Sequence, residues 1–225
     1  MTRQLAFDLP AQEAWQREDF FVSPGNALAL ATVEDWRNWP GGKLLLIGPP
    51  GSGKTHLAHL MAEATGGRLI TASALPRADL PALAAAGAVA VEDAAEIAGN
   101  RAAEEALFHL HNMLVPGGRL LVTAPMPVRD WGLGLADLHS RLAAAPVARL
   151  DLPDDALLSA VLVKLFADRQ VAVPPPLIPW LVARMERSLA AAREIVAEID
   201  ARALAEGRPI GRTIAEAVLD RRQNG

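Results

Sequence analysis

The sequence predicts an α/β fold, a parallel sheet flanked by helices, followed by a small all-helical region. Three observations predict it. Short apolar runs alternate with stretches of helical periodicity between residues 44 and 150. One of these runs, Leu44-Leu45-Leu46-Ile47, ends in a glycine-rich loop that opens a helix. After Pro153 the apolar runs stop and only helical patterns remain. Strands buried on both faces of a parallel sheet read as continuous apolar runs. Alternation of such runs with helices is the pattern of a sheet covered on both sides.

Taken in order, residues 1–18 are expected as a flexible tail outside the core, with Pro10 closing a short apolar cluster and Trp15 alone in a polar stretch. A helix follows Pro24 over 26–36, and Pro40-Gly41-Gly42 breaks the chain. Strands are expected at 44–47, 69–70, 89–91, 120–122 and 147–150, with helices at 54–64, 101–114 and 135–145. The C-terminal helices are expected at 154–167, 176–187, 189–203 and 214–222. Asp154 suits the cap of the first, which shows Leu157, Leu158, Val161, Leu162 and Leu165 on one face.

Composition narrows the chemistry. The chain has no cysteine, which excludes disulfides, thiolate catalysis and Cys-ligated zinc. A net charge of −4 over 225 residues argues against a surface that grips nucleic acid throughout. The longest smooth apolar run, 82–91, is short of the roughly 18 residues a membrane span needs. The N-terminus lacks the apolar core of a secretory signal, Asp8 interrupting it, so a cytoplasmic protein is expected. The five tryptophans are too scattered for a stacking platform and read as packing residues.

Gly48-Pro49-Pro50-Gly51-Ser52-Gly53-Lys54-Thr55 satisfies G-x-x-x-x-G-K-[ST] between an apolar run and a helix. Glycines let backbone N–H groups curl around a phosphate chain, and the helix N-terminus adds a positive field. Gly48, Gly51, Ser52, Gly53, Lys54 and Thr55 are therefore the candidate nucleotide-binding residues. Lys54 reaches the β- and γ-phosphates, and the Thr55 hydroxyl is a ligand for Mg²⁺. The run 88–91 ends in Glu92-Asp93, an apolar strand leading to two carboxylates. Glu92 takes the metal position and Asp93 the position that orients an attacking water. Thr123 ends the run 119–122, where a polar side chain would stand beside the γ-phosphate.

The order of these motifs, with a helical lid behind them, resembles an AAA+ ATPase, and within that class the DnaA ATPase-domain family. The resemblance covers residues 18–222. Residues 19–26, Asp-Phe-Phe-Val-Ser-Pro-Gly-Asn, are similar to the family's adenine-contacting entry segment and imply that Phe21 and Val22 meet the base. Gly53-Lys54-Thr55-His56-Leu57, with His59 after it, is similar to the family's exit from the phosphate loop; ordinary helix residues are a better reading of the two histidines than a metal pair. Thr123 falls at the sensor 1 position. Leu138-His139-Ser140-Arg141-Leu142 is similar to the box VII segment, so Arg141 aligns with the arginine finger. Glu186-Arg187-Ser188-Leu189 is similar to the sensor 2 segment and implies Arg187, with Arg193, expected two turns further along the same helix, as the alternative.

Two features separate the chain from a full initiator. From residue 151 onward ten basic residues face eleven acidic ones, and the expected lid takes all of that length, so no dedicated DNA-binding domain is expected. Gln4-Leu5-Ala6-Phe7-Asp8-Leu9 is similar to a sliding-clamp-binding hexapeptide, with Gln4 at the rim of an apolar groove and Leu5, Phe7 and Leu9 inside it. Ala6, Phe7 and Asp8 depart from the commonest form. Together these features resemble the Hda family of DnaA-homologous regulators. That resemblance implies a chain divided into a clamp-binding tail (1–18), a nucleotide-binding α/β part (19–152) and a helical lid (153–225). It implies bound ADP or ATP with Mg²⁺, and as partners the sliding clamp, which would associate the chain with the nucleoid, and the initiator DnaA, whose ATP hydrolysis it stimulates. A homodimer or higher oligomer is compatible with it. The Glu92-Asp93 order reverses the usual Asp-Glu, and Asp is one methylene shorter than Glu. A displacement near 1 Å costs about 10²-fold, so feeble intrinsic hydrolysis is expected. Rival readings are a helicase-loader or transposition-helper ATPase, which needs a basic single-strand surface, a P-loop small-molecule kinase, which needs an acceptor pocket, and a non-enzymatic switch with a structural nucleotide.

Overall fold

A computed structural model of the chain describes residues 15–114 and 117–223. The candidate clamp-binding residues Gln4, Leu5, Phe7 and Leu9 lie outside the described residues.

Five parallel strands form one sheet: β1 (Lys43–Ile47), β2 (Arg68–Thr71), β3 (Ala88–Glu92), β4 (Arg119–Ala124) and β5 (Val147–Arg149). Their order is β2-β3-β4-β1-β5, which places β1 between strands that follow it in sequence. Every residue of β3 is buried, and so are the last four of β1, as the unbroken apolar runs require. Side-chain alternation divides the core in two. Leu45 and Ile47 face a cluster with Leu107, Leu110, Leu138 and Leu142. Leu44 and Leu46 face Leu30, Val33, Leu57 and Met61 on the other side.

The helices of this α/β part are α1 (Ala27–Glu34), α2 (Lys54–Thr65), α3 (Leu80–Ala85), α4 (Arg101–Leu114) and α5 (Ala136–Ala143). The short α3 is absent from the expected pattern. The apolar run 82–91 is two elements, α3 and β3, separated at Gly87, whose φ of +76° favours glycine.

The helical C-terminal region comprises α6 (Asp155–Asp168), α7 (Leu177–Val182), α8 (Leu189–Glu206) and α9 (Arg212–Gln223) around a separate core that includes Leu158, Leu162, Phe166, Ile195 and Ile199. Asp154 caps α6 by accepting the Leu157 N–H at 2.7 Å, as its position in the sequence suggests. The helix expected over 176–187 ends at Val182, and α8 begins afresh behind its own cap, Ser188, which accepts the Ala191 N–H at 3.2 Å. Arg187 therefore sits in the turn before α8 and does not share a helix with Arg193, contrary to the expectation. Among the described residues no helix is long and apolar enough to cross a membrane.

Candidate functional site

The site lies where open parallel sheets bind ligands, beyond the carboxyl ends of the strands. The loop 48–53 leaves β1 and enters α2 through Gly53, whose φ of +105° suits glycine. Gly51 also has a positive φ (+69°), and a Cβ there would meet Ser188 Oγ at 1.9 Å. That approach is a clasp between the loop and the C-terminal helices, since the Leu189 N–H donates to the Gly51 carbonyl at 2.8 Å.

Lys54 is buried. Its Nζ donates to the Gly48 carbonyl at 2.7 Å and the Pro49 carbonyl at 2.9 Å. Burial pulls its pKa below the usual lysine range, and the carboxylates of Asp93 and Glu92 oppose that shift. Desolvation disfavours the charged form of a lysine, so an anion at the loop would stabilise it. Ser52, two residues before it, is buried, and its Oγ has no hydrogen-bond partner among the described residues.

Glu92 ends β3, and the β3–β4 register, Val91 opposite Val122, brings it level with Thr123. Its carboxylate is buried and takes no hydrogen bond or ion pair among the described residues. Together with the exposed Thr55 hydroxyl at the start of α2, it makes a set of hard oxygen donors that fits Mg²⁺. Among the described residues no three His, Asp or Glu side chains converge as a metal cage, so a metal here would also need oxygens from phosphate or water.

Asp93 adopts a left-handed backbone conformation, φ +54°. Thr123, 0% exposed, holds it there, its Oγ1 accepting the Asp93 N–H at 3.2 Å. Thr123 is thus bonded to the acidic turn as well as placed beside it. The geometry also explains the Glu-Asp order. Asp tolerates the left-handed region through its short side chain, and longer residues do so rarely.

A cavity of about 620 Å³ adjoins the loop between the α/β part and the C-terminal helices. Phe20, Phe21 and His56 line one side, and Leu157, Leu189 and Arg193 the other. Phe20 and Leu189 both come within 3.6 Å of a Cβ built on Gly53, which makes the cavity continuous with the phosphate loop. Asn26 shapes its wall by accepting the Ser23 N–H and donating to the Phe21 carbonyl. Phe21 faces this space; Val22 is 55% exposed and is not part of the lining. Leu157, Val161 and Leu165 of α6 also line the cavity, while Leu158 and Leu162 enter the C-terminal core, so the expected single apolar face serves two partners.

Trp15 corrects the expectation of a tail lying off the core up to residue 18. Its ring stacks on His59 at 4.6 Å, meets His56 edge-on, and lies under Arg193 at 4.7 Å. His56 Nε2 donates to the Gln16 carbonyl at 3.1 Å, and Asp19 pairs with Lys164 of α6 at 2.9 Å. The two histidines, one turn apart on α2, thus receive the incoming chain.

The two candidate arginines differ in surroundings. Arg187 Nη1 donates to the Pro153 carbonyl at 3.0 Å and its Nη2 pairs with Asp155 at 2.5 Å. Arg141, on α5, is exposed, lies 5.1 Å from the Phe108 ring, and makes no ion pair among the described residues. Lys43 and His111 lie near enough to feel its charge, and Asp137 stands one turn before it on the same helix. Burial, then the Arg141 charge, pulls Lys43 below the usual lysine range. Burial, then Lys43, pulls His111 down, with Arg141 adding to it against the hydrogen bond that His111 Nδ1 donates to Asn112 Oδ1.

Comparison with known proteins agrees with this geometry. The model of the AAA family, "ATPase family associated with various cellular activities", matches residues 44–106, the stretch from β1 into α4. The chromosomal replication initiator protein DnaA of Sphingopyxis alaskensis is 29% identical over 197 residues, which is 76% of this chain and 43% of that protein. Domain III of the Thermotoga maritima replication initiation protein DnaA superposes with a TM-score of 0.79 at 18% identity, covering 92% of this chain and 95% of that one. AMPPCP-bound DnaA from Aquifex aeolicus superposes with a TM-score of 0.69 at 17% identity, covering 86% of this chain and 67% of that one. The fold is that of an AAA+ P-loop ATPase. The sequence is related to the ATPase domain of DnaA, and the chain spans less than half the length of the curated relative it matches.

Proposed function

We propose that this chain is a nucleotide-bound negative regulator of replication initiation of the Hda type, tethered to the sliding clamp and acting on the initiator DnaA. The observation that carries the reading is Arg141, an exposed guanidinium near Lys43 and His111 that makes no ion pair among the described residues. Such a group is available to a phosphate on another molecule. In GTPases an arginine supplied this way is worth about 10³–10⁵ in rate.

In this reading ADP or ATP lies along the phosphate loop with its base in the cavity against Phe21. The N–H groups of Gly51, Ser52, Gly53 and Lys54 hold the phosphates, and the Lys54 ammonium leaves its carbonyl partners for them. The Thr55 hydroxyl and the Glu92 carboxylate hold Mg²⁺, which supplies charge neutralisation on the phosphate oxygens. Arg187, as sensor 2, exchanges Asp155 for a phosphate. Asp93, turned by Thr123, orients water poorly, so intrinsic hydrolysis is feeble and the nucleotide is regulatory. Gln4, Leu5, Phe7 and Leu9 bind the clamp, and Arg141 completes the hydrolytic site of DnaA or, in an oligomer, of a second copy.

The test is ATP hydrolysis by the initiator on clamp-loaded DNA, with wild type, Arg141→Ala and a chain lacking residues 1–10. Stimulation by wild type alone is expected. Equal behaviour of all three overturns the reading. Dependence on Arg141 without dependence on the tail, joined to single-strand binding, moves it to the helicase-loader class.

A further inference from the structure

Glu104, in the first turn of α4, belongs to none of the motifs above, yet it is 1% exposed and fully engaged. Its Oε1 accepts the Gly99 N–H at 2.9 Å and the Gly134 N–H at 3.1 Å, and its Oε2 accepts the Leu135 N–H at 2.7 Å. These donors come from two separate loops. Gly99 closes the segment that begins at Glu92-Asp93 and passes through the 3-10 turn Ala94–Ile97. Gly134 and Leu135 lead into α5, the helix of Arg141, and Leu135, its N-cap residue, offers no side-chain cap of its own. A buried carboxylate is costly unless hydrogen-bonded, and here three backbone donors satisfy it. An apolar residue would fill the space and leave all three N–H groups unpaired.

The same face of α4 carries Phe108, four residues on, beneath the Arg141 guanidinium. Helix α5 is therefore held by α4 at both ends, by a carboxylate at its start and by a ring near its finish.

We propose that Glu104 is the positioning residue of Arg141: by clamping the acidic turn of the nucleotide site to the start of α5, it lets the chain's own nucleotide set where the arginine stands. The proposal rests on the reading of Arg141 as a group acting on a partner. Arg141 lies six residues past Leu135, about 9 Å along the helix. A tilt of about 10° at Leu135 moves the arginine backbone by roughly 1.5 Å, and a misplacement near 1 Å costs about 10²-fold. The path is short: Asp93 donates to Thr123, six residues of chain with one 3-10 turn lead from Asp93 to Gly99, and Gly99, Gly134 and Leu135 all donate to Glu104.

Two measurements on the full chain test it. The first is amide hydrogen exchange across 133–143 with and without ADP; an approximately 10-fold slowing on ADP binding is expected in wild type, and Glu104→Gln, which keeps one carbonyl acceptor, loses that response. The second is stimulation of DnaA hydrolysis by wild type, Glu104→Gln and Arg141→Ala. Glu104→Gln is expected to lower the maximal stimulated rate about 10- to 100-fold while the half-saturating concentration moves less than about 3-fold; simple loss of fold in part of the protein would instead raise the half-saturating concentration and leave the maximum unchanged. Wild-type amides indifferent to bound ADP overturn the proposal, whether or not the variant folds. Full stimulation by Glu104→Gln beside an inactive Arg141→Ala also overturns it and leaves the function standing. Full stimulation by Arg141→Ala overturns the function, and failure of ADP to bind removes the nucleotide reading itself.

Discussion

Arg141 on α5 and Arg187 before α8 are both arginines expected to touch phosphate, and the fold treats them in opposite ways. Arg187 is bound within the C-terminal region, to Asp155 and to the carbonyl of Pro153. Arg141 rests on Phe108 near Lys43, with no ion pair among the described residues. The side chains of the Arg187–Asp155 pair are 49% and 69% exposed, and exposed pairs of this kind are worth about 0–1 kcal/mol. Arg187 can thus give up its carboxylate for a phosphate of its own nucleotide at little cost. Arg141 has no ion pair to give up among the described residues, and it is exposed. A guanidinium serving the chain's own nucleotide can be parked on an internal carboxylate, whereas one serving another molecule must stay clear of them.

The largest effect expected from this contrast is at Arg141. Arg141→Ala should lower stimulated hydrolysis by the partner about 10³-fold, read as phosphate release on clamp-loaded DNA, and Arg141→Lys should restore only part of it because the planar fork is lost. Next is Lys54→Ala, expected to weaken ADP binding about 100-fold through loss of charge-assisted hydrogen bonds and measured by fluorescence titration. A smaller effect concerns acid. Burial alone would raise the Glu104 pKa, but the N–H groups of Gly134, Gly99 and Leu135, with Arg101, hold it below the usual carboxylate range. A depressed carboxylate stabilises the fold above its unfolded pKa, and that stabilisation is lost as pH falls through the ordinary carboxylate range toward the folded value. Thermal melts at pH 7 and pH 4 should therefore fall further for wild type than for Glu104→Gln, by about 3–5 °C. The smallest is Asp155→Ala, which should change the melting temperature by less than about 3 °C and leave ADP affinity equal or up to about 3-fold tighter as Arg187 is released.

Much of the frame was legible because it is local. Leu44–Ile47 followed by the glycine loop and Lys54-Thr55 is a strand, a turn and a helix start within a dozen residues, and each piece has its own sequence rule. Asp154 and the leucines of α6 were readable for the same reason. The Glu92-Asp93 order was visible, but its cause was not: the left-handed turn at Asp93 depends on a hydroxyl thirty residues away. Glu104 carries no signal in its own neighbourhood, since an acidic residue in a first helical turn is common; its donors at 134 and 135 lie beyond the helix and the next strand.

The amino-acid sequence alone determined the strands, the glycine-rich loop into α2 and the helical region after Pro153, because backbone geometry and hydrophobic period act over a few residues. Only the tertiary structure decided that Arg187 is ion-paired while Arg141 is not among the described residues, that Trp15 lies on His59, and that one carboxylate joins the acidic turn to α5. Those outcomes depend on which polar groups the packed helices bring within about 3 Å of one another, and a linear pattern does not encode the partner across that distance.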